Sequence, residues 1–244
     1  MTASHEATDK PRRRAWQAYA ELTVGRPSLP ALLLYELVTG CLAMWPGAAG
    51  ILLRRVFYRM LLGSMGSRVS IGRNVVLRGA GRIHLGADVM IDDGCVLDAR
   101  GPEGCVTLGD GVLLSRHTIL RARNGVLEVG AGSDIGCFCL LGTDCRLVLG
   151  RDVLLGAYTY IVAGGRHRFD GVDGPVIQQG KEPGQGIEIG DGAWLGTRVT
   201  VLDGASVGPG AVIGAHALVT DDVPANHVAY GSPARARRER TAEE

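Results

Sequence analysis

The chain has 244 residues, 46% of them hydrophobic, 21% charged and 5% aromatic, so it can bury a sizeable core and is not a disordered tail. Its 37 glycines are roughly twice the usual share of about 7%, and with so few aromatics they disfavour a helix bundle or an aromatic-packed sandwich. Lys plus Arg is 26 against 25 Asp plus Glu, a net charge of +1, so no whole-chain field draws the protein to nucleic acid.

Residues 1–26 read as a polar tail or short helix. Lys10-Pro11-Arg12-Arg13-Arg14 has the charge of a secretory n-region, but Trp16 to Glu21 follow it instead of an apolar run. Without such a signal, Cys41, Cys95, Cys105, Cys137, Cys139 and Cys145 are expected to be reduced packing residues, and the location cytoplasmic. None of the six sits in a zinc-type CxxC spacing.

Residues 27–65 form an apolar, helical segment interrupted at Pro46-Gly47. Its longest uncharged stretch after Glu36, Leu37 to Leu53, is 17 residues with that break inside, which is short for a spanning helix of about 20. Arg26 at one end and Arg54-Arg55 at the other fit a bent hairpin lying on the inner face of the plasma membrane, with both ends on the cytoplasmic side. The alternative is a pair of helices packed on the main domain or on a neighbouring subunit. Arg54, Arg55 and Arg59 precede Met60-Leu61-Leu62-Gly63, which leads into the next domain.

From Val69 the apolar residues recur every six positions, which is neither the helical 3.6 nor a simple strand alternation. The clearest run is Ile189, Leu195, Val201, Val207, Ile213 and Val219, with small or aliphatic residues two positions before each. Residues i and i−2 share one side of a strand, so each unit is a short strand with two inward residues and a tight turn. Upstream the repeat falls into triplets: Leu85, Ile91, Leu97; Leu108, Leu114, Leu120; Val129, Ile135, Leu141; Leu149, Leu155, Ile161. Within each the step is six; between them it is 11, 9 and 8, and then 28 from Ile161 to Ile189. Extra residues therefore enter at one corner of a three-sided parallel coil of about seven turns spanning 66–222, an all-β fold. The 28-residue step extrudes one long loop, 164–186.

Here the sequence resembles the hexapeptide-repeat acyltransferases, in particular their branch that O-acetylates sugars and exopolysaccharides. The resemblance covers about residues 66 to 238. It implies a left-handed parallel β-helix, a homotrimer with active sites between subunits, and acetyl-CoA as the acyl donor. The loop GGRHRFDGVDGPVIQQGKEPGQG looks like the family's HxFD…P-I/V…Q-G stretch, whose histidine is the general base, here His167. Imidazole suits that task near neutral pH. Asp170 matches the acidic residue three positions on and is expected either to contact substrate or to cap the loop. Gln178 and Gln179 are expected to anchor it. No carboxylate that would orient His167 is readable.

Trp194, one residue before the inward Leu195, faces outward. In the family this tryptophan lies beside the acyl-donor and acceptor site; the alternative is a subunit contact. The C-terminal segment 223–244 resembles the family's VTKDVP…GNPAR signature, which wraps coenzyme A. Carried over by position, the contacts would be Thr197, whose backbone N–H looks like the oxyanion donor, with Ala215, Thr220, Arg235 and Arg238. The two arginines suit phosphates, unless this is a merely solvated basic tail.

Two residues depart from the pattern. Asp221 replaces a lysine common after the threonine, and Cys139, beside Phe138, stands near the family's acceptor-contacting asparagine. The expected acceptor is a saccharide-type or lipid-linked hydroxyl, with N-acetylation of an amino sugar or small xenobiotic next, and a non-catalytic trimeric scaffold as the alternative to an enzyme. His84, His117 and His216 lack the spacing of the family's zinc-binding members, so no metal is expected, and no Gly-rich phosphate loop precedes the repeat.

Overall fold

The computed structural model describes residues 14–172 and 174–241; the basic run at 10–13 lies outside them. Three helices, α1 (Ala15–Thr23), α2 (Leu29–Leu42) and α3 (Gly47–Phe57), precede the coil. Pro46 sits at the N-cap of α3, where its fixed φ and missing N–H cost least, so the Pro-Gly break divides two helices.

From Ser64 the chain winds as a left-handed parallel β-helix of seven coils, each giving one short strand to each of three sheets. The six-residue ladder is the register itself: Leu85, Leu108, Val129, Leu149, Ile189 and Val207 are successive partners in the first sheet. Nearly all of these side chains are buried, together with those two positions before them. All extra residues leave the coil between the third sheet and the first, as the triplet spacing requires. The insertion after Ile161 is the long loop; after Val201 the corner closes tightly.

A solenoid's terminal coils have neighbours on one side only and must be capped. At the start the helices do this, because first-coil carbonyls accept from Arg54 Nε (Ile71 O, 2.8 Å), Arg55 Nε (Val69 O, 2.7 Å) and Tyr35 Oη (Leu77 O, 2.8 Å). Arg54 is 1% exposed and also donates to Leu42 O and Trp45 O, both at 2.9 Å. The reading of Arg54 as a charge flanking a membrane hairpin is therefore corrected: its guanidinium is a buried cap, and burial draws its pKa below the ordinary arginine value. At the far end, strand His227–Tyr230 pairs on the second sheet and is covered by the antiparallel strand Arg235–Glu239. No helix among the described residues is long and apolar enough to cross a membrane.

All six cysteines are free. Cys95 and Cys139 are buried inside the coil as packing residues, and burial pushes each thiol up to about 11. Cys41, in contrast, is exposed on α2.

Candidate functional site

The long loop is rooted as a hairpin. Arg168 N–H donates to Gly180 O (3.1 Å), Glu182 N–H to Arg166 O (2.9 Å), and His167 bridges antiparallel to Lys181. Ion pairs Arg166–Glu182 and Lys181–Asp144, both 2.6 Å, flank this root. Its two feet are tied by one carboxylate: Asp203 Oδ1 accepts from the N–H groups of Gly164 (2.9 Å) and Gly186 (3.0 Å), and Oδ2 from that of Gln185 (2.9 Å). Sequence reasoning missed Asp203. The available signal was an acid in the one tight corner directly above the loop. Farther out, Gln179 closes the loop on Gly171 and Gly174, as an anchor should, whereas Gln178 makes no side-chain hydrogen bond among the described residues.

His167 is exposed on this rooted hairpin, and no described carboxylate bonds its ring. Asp170 is exposed two residues beyond Arg168 of the root, near Arg166, whose guanidinium also lies 5.6 Å over the Phe169 ring. A groove of about 600 Å³ runs from the root, at Arg166 and Glu182, along the outer face of the third sheet past Tyr160 and Leu202 to Thr220.

Trp194 is 50% exposed on the outer face of the second sheet. Thr197 lies at the corner between the second and third sheets, with Ala215 stacked beside it one coil on. Its hydroxyl donates to Ala157 O (2.7 Å). In the first coil the equivalent corner N–H, that of Arg73, is occupied by Asp93 Oδ1 at 2.6 Å. Ala215 offers no such acceptor, and the Thr197 N–H meets none among the described residues.

Within one chain these residues do not all converge. Thr200 pairs with Tyr160, so Thr197 stands before the third-sheet strands, while His167 follows the far end of strand Tyr160–Ala163. A full face of the prism, on the order of 13 Å at about 3.3 Å per residue, lies between them. Thr220 and Arg235 do converge, joined by Asp221, which accepts from Thr220 Oγ1 (3.1 Å) and Arg235 Nη1 (2.7 Å). Arg238 is exposed on the same C-terminal strand and, among the described residues, its side chain donates only to Glu239 O, at 3.3 Å.

Cys139 is corrected as an acceptor contact. It is 1% exposed, its thiol donating inward to Gly156 O at 3.3 Å, so nothing outside the coil can touch it. The exposed residue of that corner is Phe138, at φ 58°, whose ring is stacked between His117 and Tyr158 with centroids 5.1 Å away on each side. Among the described residues no cluster of three His, Cys, Asp or Glu could hold a metal ion.

Residues 186–221 match the family model for the bacterial transferase hexapeptide (six repeats). A probable acetyltransferase of Mycobacterium tuberculosis is 30% identical over 62% of this chain and 50% of its own length. The putative lipopolysaccharide biosynthesis O-acetyl transferase WbbJ of Escherichia coli is 28% identical over 76% of this chain and 82% of its own. This chain spans about half the length of the first curated relatives it matches. Among solved structures, the polySia-specific acetyltransferase NeuO shares the fold with TM-score 0.56 at 20% identity, over 72% of this chain and 80% of that one. AntD, an N-acyltransferase from Bacillus cereus crystallised with dTDP and coenzyme A, does so with TM-score 0.52 at 19% identity, over 82% and 91%. The six-residue register and the coil it builds continue, along the rest of the prism, the transferase hexapeptide repeat matched at 186–221.

Proposed function

We propose that the protein transfers an acetyl group from acetyl-CoA to a hydroxyl of a saccharide. The observation that carries this reading is the loop hairpin that holds His167 exposed next in chain to Arg166, which lines a groove running to Thr220 on a rigid coil. The imidazole removes the acceptor hydroxyl's proton as the oxygen attacks the thioester carbonyl. The free N–H of Thr197 bonds the tetrahedral oxyanion; the C–S bond then breaks, and the thiolate takes the proton back from the imidazolium. Because His167 and Thr197 lie at opposite ends of a face, the Thr197 corner that serves a given His167 comes from a second copy, in a homotrimer. The described residues suit the donor only in part. Arg235 and Arg238 offer guanidinium groups for its phosphates and Trp194 an exposed indole, but Asp221 already pairs Arg235.

The ion pair is also what favours the alternative, a scaffold with a failed donor cleft. The deciding experiment is an acetyl-CoA turnover assay across saccharide hydroxyl and amino-sugar acceptors, comparing the unaltered chain with His167→Ala. Transfer to hydroxyl acceptors that disappears in the variant, with trimer mass and coenzyme A affinity retained, is the expected result. Retained turnover in His167→Ala removes the histidine from the mechanism, and exclusive use of amine acceptors replaces O- by N-acetylation.

A further inference from the structure

We propose that the outer faces of α2 and α3 dock the protein on an anionic lipid bilayer. On α2 the residues turned outward at successive turns are Leu29, Leu33 and Leu37, 47%, 61% and 64% exposed; on α3 and the turn after it they are Leu52, Val56 and Met60. Met44 and Trp45, between the helices, join the two stripes. Glu36 is the one acid beside them, and its Oε1 already accepts from Tyr19 Oη at 2.7 Å. A folded domain seldom leaves so many large apolar side chains uncovered on consecutive helices.

The charge at the edge of this surface selects the occupant. Arg68, Arg73 and Arg82 near the same end of the prism are each paired to a carboxylate and Arg55 is turned to Val69 O, whereas Arg26 and Arg59 are exposed with no carboxylate among the described residues. An apolar face edged by unneutralised cations, with an indole at its turn, complements headgroup phosphates above acyl chains. A cavity of about 620 Å³ opens on the same surface, sharing Pro30 and Met60 with it and holding Arg26 and Arg82 in its wall. Arg82 is turned inward there, its Nη2 paired with Glu21 Oε1 at 3.3 Å, so the cation this cavity offers to an outside anion is Arg26. The helices lie along the bilayer and do not cross it.

The inference does not rest on the transferase reading, and its test needs neither donor nor acceptor. The full chain is sedimented with phosphatidylcholine vesicles and with vesicles containing phosphatidylglycerol, in low and high salt. Binding to the anionic vesicles, weakened by salt, is expected. Leu33→Glu with Leu37→Glu should reduce it at least tenfold, and Arg26→Glu with Arg59→Glu should abolish the preference for anionic lipid. Trp45→Gln, a milder change, should weaken binding severalfold with an unchanged circular dichroism spectrum. No association of the unaltered chain with anionic vesicles overturns the proposal. So does binding that survives the glutamate pair, or the finding that this pair instead changes the mass of the lipid-free assembly, which would make the face a contact between copies.

Discussion

At the scale of single residues, two carboxylates set the state of the candidate site. Asp203 gathers three backbone N–H donors from both feet of the loop, bonds of the charge-assisted kind worth about 1.5–3 kcal/mol each to stability. Asp203→Asn removes the charge and turns one acceptor oxygen into a donor facing an N–H. We expect a loss of about 2 kcal/mol in stability, read as a lowered thermal midpoint, and faster proteolytic nicking within 164–186. Turnover should fall with little change in donor affinity, since Asp203 positions the loop and touches no phosphate. Asp221 acts in the opposite sense. Its pair with Arg235 is exposed, so it is worth at most about 1 kcal/mol. Asp221→Asn should release the guanidinium and tighten coenzyme A binding up to about fivefold, measured by calorimetry; an unchanged or weaker affinity would take Arg235 out of the donor site. The sequence marks Asp221 as unusual, but not its partner, because Arg235 is fourteen residues away across a turn. Cys139 was legible and misread: it stands two residues before the inward Leu141, as Ala193 stands before Leu195, and the rule that buries one buries the other.

At the scale of elements, the coil was legible because its six-residue period follows from geometry that every turn repeats. What the period does not reveal is the corner. Successive coils place His117, Phe138, Tyr158 and Arg198 at φ between 57° and 62°, a region costly to side chains with a Cβ. They are held there by each other, since His117, Phe138 and Tyr158 form a continuous stack and Arg198 lies 5.4 Å over the last ring. Beneath it, Gly94 keeps the bottom of the column open: a Cβ there would come within 2.4 Å of His117 Nδ1. Each aromatic contact contributes about 0.5–1.5 kcal/mol. Phe138→Ala loses two of them and keeps the strained backbone, so it should destabilise by about 2 kcal/mol. Phe138→Gly loses the same contacts but relieves the strain, and should be less harmful by about 1 kcal/mol; equal midpoints for the two would show that the column carries no strain.

Carboxylates also stand at the corners, Asp93 directly before Gly94 and Asp222 after the last strand of the third sheet. Asp93 is held below the usual carboxylate range first by the Arg73 side chain and Asp222 by the Ser206 hydroxyl, each also accepting a backbone N–H. A carboxylate depressed on folding contributes its stability above the unfolded pKa of about 3.9 and loses it as pH falls through the folded value. The thermal midpoint should therefore be flat from neutral pH to about 5 and decline below about 4, with a shallower decline in Asp222→Asn.

At the scale of the whole molecule, the helices and the coil share one hydrophobic core, which composition alone does not reveal. An apolar segment ending in arginines reads equally well as a membrane hairpin, because the acceptor that draws Arg54 Nε inward, Ile71 O, belongs to a strand that is 17 residues away and exists only once the coil has formed. The arginine completes the first coil by meeting Ile71 O, and it ties that coil to the α2–α3 turn through Leu42 O and Trp45 O. Removing residues 14–62 would consequently uncover the inward Ile71 and Leu77 and leave three edge carbonyls without donors. Such a truncation should aggregate, and so cannot report on membrane docking; outward substitutions such as Leu33→Glu can. The sharper test of the cap is Arg54→Met, which fills much of the same volume with no donor. It removes the donor to Ile71 O and Trp45 O at about 1–3 kcal/mol each, while Leu42 O keeps the Trp45 N–H, and the loss is offset in part by no longer burying a charge. A net loss of about 3 kcal/mol is expected, with hydrogen exchange of the first-coil amides rising before that of the last coils. Uniform exchange along the prism would mean that the end coils do not depend on this cap.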